Sequence, residues 1–330
     1  MKPSAIRQAL PGLLAKRRPV FMWGPPGVGK SDVVRRVADD MKLELRDVRL
    51  SLLDPVDLKG FPIPNMTKKQ MQWLPADFLP TDKKSKGILF LDEMNHAPMS
   101  VQSAAYQLIL NFKIGDYELP PGWSIIAAGN RTGDRSGAIA QPAALANRFV
   151  HLDYDVNVDD WNNWAMEAGL HTDLRAFIRF KPSLLYKYDA ATNPRAFPTP
   201  RSWAFVNDIY KDRHSTDVEF ELIRGTIGEG AAGEFLAFTQ QIKDLPTVDQ
   251  ILIDPDGAKV PDNPGAQFAI TTALDSKATK ANINVVMKYM SRLSVEFQTI
   301  FFRAALRRDD SLTQTKTYMD WGLKHQNILT

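Results

Sequence analysis

One segment constrains the fold of this chain more than any other, because an apolar run, Val20–Trp23, leads directly into a loop rich in glycine and proline. An amphipathic helix is predicted next, over Ser31–Lys42. A strand, a glycine-rich turn and a helix in this order are typical of a parallel sheet, so the apolar run is predicted to be one of its buried strands. The loop matches the pattern G-x-x-x-x-G-K-[ST] with Gly24, Pro25, Pro26, Gly27, Val28, Gly29, Lys30 and Ser31.

This pattern predicts a phosphate-binding loop. Glycines let the backbone curl until successive N–H groups face phosphate oxygens, and the N-terminus of the following helix attracts the same anion. We expect Lys30 to bridge the β- and γ-phosphates and the Ser31 hydroxyl to bind Mg²⁺. Asp32 belongs to the same predicted nucleotide-binding set, and in the first helical turn its carboxylate interacts favourably with the helix dipole.

Two carboxylates follow a second apolar run. Asp92 and Glu93 come directly after Ile88–Leu91. Parallel sheets bind ligands at the carboxyl ends of their strands, so both side chains are expected at the phosphate site. Asp92 is the candidate Mg²⁺ ligand, and Glu93 is the candidate base that activates the attacking water.

Composition excludes several kinds of chemistry. The 330 residues include no cysteine, which rules out disulfides, cysteine-bound zinc, iron–sulfur clusters and thiol nucleophiles. Only five histidines are present, which leaves little room for a histidine-rich metal site. The 41 Lys and Arg nearly balance the 38 Asp and Glu, so no nucleic-acid-binding footprint dominates. No run approaches the roughly 20 apolar residues of a membrane span. With no signal-peptide pattern at the N-terminus either, we expect a cytoplasmic protein.

Strand and helix patterns alternate in the first half of the chain. Strands are predicted over Ser124–Ala128 and Phe149–Tyr154, with a weaker one over Arg46–Ser51, and a helix is predicted over Met99–Asn111. This alternation predicts an α/β nucleotide-binding core with a parallel sheet over residues 1–155.

The second half of the chain is predicted to be helical. We expect a helical lid over 156–239 and a helical extension over 240–330, with a connector at Pro246–Pro264 and one long helix over Asn282–Asp309. The helices expected in the lid are Asp159–Gly169, Asp173–Phe180, Arg201–Asp212 and Asp217–Phe238.

Together these motifs resemble those of the AAA+ ATPases, a family with the P-loop NTPase fold. In that family a polar residue called sensor 1 ends the next core strand and orients the lytic water, and Asn130 stands at that position. A sensor 2 arginine is expected in the lid. Arg201 matches it, and Arg195 is the alternative.

The resemblance also implies an arginine finger, which stabilises γ-phosphate charge in the site of the neighbouring subunit. Arg148 lies just before the last predicted core strand, where the family places this residue. Arg131 and Arg135 are nearer to Asn130 and are rival candidates.

Within AAA+ the chain is most similar to the MoxR-like group, which includes CbbQ- and NorQ-type activators. Leu53–Gly60 resembles the start of that group's insert in helix 2, and Phe112–Pro120 resembles its hairpin before sensor 1. The alternation around Gly115-Asp116 also predicts a hairpin on local grounds. Proteins of this family form rings with a central pore, and two segments are candidates to face it. They are the insert around Phe61–Trp73 and the hairpin at Lys113–Tyr117.

The resemblance implies an ATPase that uses ATP and Mg²⁺ in a ring, most often a hexamer, to remodel or activate a protein client. A von Willebrand factor A domain protein is a possible partner in this group. Two alternatives stay open: a nucleic-acid-associated motor, which the balanced charge disfavours, and an assembly protein that binds ATP without hydrolysing it.

Overall fold

The chain forms two compact units, Met1–Asn157 and Val158–Thr330. The computed structural model describes residues 1–67, 69–131, 146–189, 191, 194–212 and 214–325. In these ranges no helix is both long and apolar enough to cross a membrane. The boundary predicted between a lid and an extension, at residues 239 and 240, stays a prediction.

The strands of the first unit include those predicted over Val20–Trp23, Ile88–Leu91, Ser124–Ala128 and Phe149–Tyr154. Its strands are β1 (Val20–Trp23), β2 (Glu44–Arg49), β3 (Phe61–Asn65), β4 (Gln70–Leu74), β5 (Gly87–Asp92), β6 (Lys113–Ile114), β7 (Tyr117–Glu118), β8 (Trp123–Gly129) and β9 (Val150–Asp153). Its helices are α1 (Pro3–Ala15), α2 (Lys30–Met41), α3 (Pro55–Lys59) and α4 (Met99–Asn111).

Five of these strands form one parallel sheet in the order β2-β5-β8-β1-β9, which confirms the predicted α/β core. All residues of β8 are buried, as are all residues of β5 except Asp92, because apolar side chains cover both faces of these central strands. Ile126 pairs with Phe90 on one side and with Val20 on the other. This register brings the carboxyl ends of β1, β5 and β8 side by side.

Two antiparallel hairpins stand apart from this sheet. One pairs Phe61 with Leu74 in β3 and β4, within the predicted insert. The other pairs Ile114 with Tyr117 in β6 and β7, which confirms the hairpin predicted around Gly115-Asp116.

Helix α1 is not among the predicted helices. Pro11 lies inside it and removes a backbone donor, which weakens the helical signal of the sequence. Ile6, Leu10 and Leu14 are buried at helical spacing, and their burial stabilises the helix in place of propensity.

The second unit is helical in its described part, as predicted. Its helices are α5 (Val158–Glu167), α6 (Thr172–Phe180), α7 (Pro200–Lys211), α8 (Thr216–Ile227), α9 (Glu229–Gln241), α10 (Val248–Ile253), α11 (Pro264–Lys277), α12 (Ile283–Met290), α13 (Val295–Arg308) and α14 (Lys316–Lys324).

Three predictions within this unit are wrong. The helix expected over Asp217–Phe238 is two helices, because Gly228 adopts a φ of 84° between α8 and α9. The helix expected over Asn282–Asp309 is likewise divided, into α12 and α13. The connector Pro246–Pro264 contains α10, whose N-terminus is capped by the Thr247 side chain.

A buried ion cluster joins α6 to α11. The carboxylate of Asp275 is fully buried and accepts hydrogen bonds from Arg179 Nη1 at 2.6 Å and from Arg175 Nη2 at 3.4 Å. Burial lowers the pKa of the Arg175 guanidinium, and the charge of Asp275 opposes that effect. A buried carboxylate is tolerated here because two cations compensate it.

We predict that Asp275→Ala destabilises the second unit by about 3–5 kcal/mol, because the buried guanidinium of Arg175 and the partly buried guanidinium of Arg179 would lose their counter-ion. Urea unfolding followed by far-UV circular dichroism measures the effect. The matched control is Asp256→Ala, which removes an exposed pair with Lys288 and should cost less than about 1 kcal/mol. Equal losses in the two variants would contradict the prediction.

Candidate functional site

The glycine-rich loop connects β1 to α2 at the carboxyl edge of the sheet. Gly27 and Gly29 adopt φ values of 75° and 98°, in the left-handed region that favours glycine. Gly29 directly precedes α2, and Lys30 is its first residue. Asp32 lies exposed in the first turn of this helix. The loop therefore turns sharply into a helix N-terminus, which is a favourable geometry for an anion.

The Lys30 ammonium lies at the centre of the site. The residue is 9% exposed, and Nζ donates hydrogen bonds to the carbonyl oxygens of Gly24 at 2.6 Å and Pro25 at 3.0 Å. It also donates to Oδ1 of Asn130 at 3.1 Å. The lysine thus links the phosphate-loop motif to the candidate sensor 1 residue.

Ser31 and Asp92 form a second link across this edge. The Ser31 hydroxyl donates to Oδ2 of Asp92 at 3.1 Å, while Oδ1 of Asp92 accepts from the backbone N–H of Glu93 at 2.8 Å. Hydroxyl and carboxylate oxygens are the hard donors that Mg²⁺ prefers, and Mg²⁺ commonly takes one or two carboxylates with substrate phosphates as its other ligands. The donor set therefore fits Mg²⁺. Over the described ranges no group of three or more His, Cys, Asp or Glu forms another candidate metal cluster.

Glu93 is held in an uncommon backbone conformation. Its φ is 54°, in the left-handed region, which costs a non-glycine residue on the order of 1–3 kcal/mol and is often found at functional sites. Its carboxylate accepts a hydrogen bond from the hydroxyl of Ser51, in the turn that follows β2. Ser51 is a site residue that no motif identifies, because only the pairing of β2 with β5 brings it near Glu93.

Asn130 follows β8 and is held by a second residue that no motif identifies. The side-chain amide of Asn95 bonds to both the backbone N–H and the backbone carbonyl of Asn130. The Nδ2 atom of Asn130 lies 3.5 Å from Nε2 of His96.

The candidate finger arginines differ in their contacts. Arg131 pairs with Asp153 at 3.3 Å and with Asp155 at 3.4 Å, so its charge is used within its own chain. Arg148 lies exposed in the turn before β9, and within the described part of the chain it makes no hydrogen bond or ion pair. Arg135 lies outside the described residues.

The candidate sensor 2 arginine belongs to the second unit. Arg201 is exposed in the first turn of α7, whose N-terminus is closed by a reciprocal capping box between Thr199 and Ser202. Arg195, the alternative, is also exposed and precedes this helix. The sensor 2 assignment stays a prediction.

Comparison with known families finds a similarity in the first unit. Residues 20–151, from β1 into β9, match the family model described as "ATPase family associated with various cellular activities (AAA)". This segment is similar to AAA ATPase domains.

The chain also has a relative of low similarity. Midasin of Giardia intestinalis is 27% identical over 186 residues, which cover 53% of this chain and 4% of midasin. The chain therefore spans only a small part of that relative's length.

Solved structures give weaker likenesses. The RuvB Holliday junction branch migration motor of Thermotoga maritima is 18% identical, with a TM-score of 0.39 over 76% of this chain and 73% of that chain. NtrX from Brucella abortus is 16% identical, with a TM-score of 0.37 over 92% and 67% of the two chains.

We predict that Gly29→Ala weakens nucleotide binding to the glycine-rich loop by at least about tenfold, or about 1.4 kcal/mol. An alanine at a φ of 98° is strained by about 1–2 kcal/mol, and relief of that strain would turn the loop N–H groups away. Titration with a fluorescent ATP analogue measures the affinity. The control is Gly12→Ala in α1, where an added Cβ meets nothing within 4 Å and should stabilise the fold by about 0.5–1 kcal/mol. Unchanged affinity in Gly29→Ala would contradict this account of the loop.

Proposed function

We propose that this chain is a Mg²⁺-dependent ATPase of the AAA+ type that works in a ring and remodels a protein client. The observation that supports ATP hydrolysis most directly is the convergence of three loops at one edge of the sheet. Lys30 lies 3.1 Å from Asn130, and Ser31 lies 3.1 Å from Asp92. The loop that contains Lys30 and Ser31, the residue Asp92 and the residue Asn130 come from three separate stretches of the sequence.

In this proposal the phosphate loop binds the β- and γ-phosphates of ATP. The N–H groups of the loop and the ammonium of Lys30 neutralise phosphate charge, and the N-terminus of α2 adds its dipole. Ser31 and Asp92 would hold Mg²⁺. When bound, this ion would neutralise charge on the phosphate oxygens.

Glu93 is the general base of the proposed reaction. Its carboxylate takes a proton from a water molecule whose oxygen bonds to the γ-phosphorus, while the bond from that phosphorus to the β–γ bridging oxygen breaks. ADP and inorganic phosphate are the products. The amide of Asn130 orients the water, and the hydroxyl of Ser51 holds the carboxylate of Glu93.

In a ring, a neighbouring subunit would supply a further positive charge to the γ-phosphate. Arg148 fits a finger that acts in the site of a neighbouring subunit, because it is exposed and makes no hydrogen bond or ion pair within the described part of its own chain. Arg131 fits this role less well, since Asp153 and Asp155 already pair with it. We assign Arg201 of the helical lid as sensor 2 of the same subunit.

The hairpin β3–β4 is the proposed contact with a client polypeptide. Phe61 is 64% exposed, Met66 is 83% exposed and Met71 is 56% exposed. Aromatic and Met side chains adapt to varied apolar partners. The hairpin β6–β7 is the second proposed pore element, and a von Willebrand factor A domain protein is the partner that the MoxR-like resemblance implies.

We predict that Glu93→Gln slows ATP turnover by about 10²- to 10⁴-fold and leaves ATP affinity within about twofold, because only the proton acceptor is lost. Steady-state phosphate release measures the turnover rate, and titration with an ATP analogue measures affinity. The contrasting variant is Lys30→Ala, which should lose both turnover and binding.

Each part of the proposal has its own contrary result. Unchanged turnover in Glu93→Gln would remove the base assignment, and a wild-type chain that binds ATP without turnover would favour the assembly-protein alternative. An ATP-trapped Glu93→Gln ring should also retain a crosslinked client. That crosslink should be lost when Phe61 and Met66 are both changed to Ser.

We predict that Glu93→Gln and Arg148→Ala, each inactive alone, regain ATP turnover when the two variants are mixed. A site between unlike subunits then combines an intact Glu93 from one chain with an intact Arg148 from the next. Random mixing in equal amounts should restore about a quarter of wild-type turnover in a head-to-tail ring. The control mixes Glu93→Gln with Lys30→Ala. Those two residues act in the same chain, so no activity should return. Failure of the first mixture, or rescue by the second, would contradict a finger acting across the interface.

A further inference from the structure

Asn95 lies in the short turn that follows the candidate catalytic carboxylates, and it is fully buried. Its Nδ2 donates to the carbonyl oxygen of Asn130 at 2.7 Å, and its Oδ1 accepts from the backbone N–H of the same residue at 3.1 Å. One side-chain amide thus satisfies both main-chain polar groups of Asn130.

These bonds take the place of the strand-to-strand hydrogen bonds that Asn130 lacks. The pairing of β1 with β8 ends at Gly129, so the backbone of Asn130 lies just beyond the ladder. A buried backbone N–H or carbonyl without a partner is costly, and burial of an amide side chain is tolerated only where it is hydrogen-bonded. Asn95 meets both requirements with one pair of bonds.

Gly129 makes this contact possible. A Cβ at that position would lie 2.2 Å from Oδ1 of Asn95 and 2.7 Å from its Cγ. The amide of Asn95 therefore packs directly on the Cα of the residue before Asn130. A larger residue at 129 would have to displace it.

The side chain of Asn130 is also oriented. Its Oδ1 accepts from Lys30 at 3.1 Å, and its Nδ2 lies 3.5 Å from His96, the residue after Asn95. A small rotation of the main chain at Asn130 would move this amide away from Lys30. Asn95 restricts that rotation, because its side chain is hydrogen-bonded to both the backbone N–H and the backbone carbonyl of Asn130.

We propose that Asn95 is a positioning residue that holds Asn130 in the orientation needed to direct the lytic water. This inference rests on the proposed function, in which Asn130 orients that water. Asn95 acts through Asn130 and does not touch ATP. Its loss should therefore lower kcat while nucleotide binding is retained.

The test compares Asn95→Ala, Asn95→Leu and Asn130→Ala in steady-state ATP turnover with the full chain. We expect kcat to fall about 10- to 100-fold in all three, the size of effect that a displacement of about 1 Å can cause. The KM for ATP and the affinity for a non-hydrolysable analogue should stay within about threefold of wild type. Asn95→Leu keeps a similar side-chain volume, so recovery of kcat in that variant would indicate a packing role and overturn the inference.

Two further variants separate this inference from the proposed function. The double variant Asn95→Ala/Asn130→Ala should turn over ATP no more slowly than Asn130→Ala alone, because both changes act on one group. Gly129→Ala should reproduce the kcat defect of Asn95→Ala. The role of Asn95 would be overturned, and that of Asn130 kept, if the losses of kcat in the two single variants multiplied in the double variant. The same conclusion would follow if kcat fell in Asn130→Ala but stayed at the wild-type value in Asn95→Leu. Wild-type turnover in Asn130→Ala would overturn both this inference and the proposed role of Asn130.

Discussion

Burial of the central strands on both faces is the constraint on which the site depends. β5 and β8 are apolar along nearly their whole length, so they must be covered on both sides and must lie inside the sheet. In a parallel sheet their carboxyl ends then meet at one edge. The polar residues that end these strands, Asp92 and Asn130, consequently come within reach of the loop after β1.

The same constraint explains why much of the fold could be predicted from the sequence. A short apolar run such as Ile88–Leu91, bounded by Gly87 and Asp92, is typical of a strand that is buried on both faces of a parallel sheet. The phosphate loop was predictable because glycine spacing, a preceding strand and a following helix agree. Strand order was not predictable from the runs themselves, since any of them could pair with another.

Two site residues, Ser51 and Asn95, could not be predicted because their contacts depend on that strand order. Ser51 reaches Glu93 only because β2 pairs with β5, and Asn95 reaches Asn130 only because β5 pairs with β8. Neither stands in a local pattern that indicates a ligand. The helix boundaries missed in the second unit have a different cause. The pattern over Asp217–Phe238 is continuous in hydrophobicity, and only the positive φ of Gly228 divides it. A glycine inside a helical pattern is compatible with either outcome, so tertiary packing decides.

The left-handed backbone of Glu93 solves a geometric problem set by the sequence. Asp92 and Glu93 are adjacent, and the proposed reaction needs one carboxylate at the ion and the other at the water. Asp92 accepts from Ser31 on α2, whereas Glu93 accepts from Ser51 after β2. The turn at Glu93, with its φ of 54°, ends the strand between these two directions. Strain at this residue therefore has a functional interpretation, since an extended backbone at Glu93 would continue β5 and place the two carboxylates on opposite faces of the sheet.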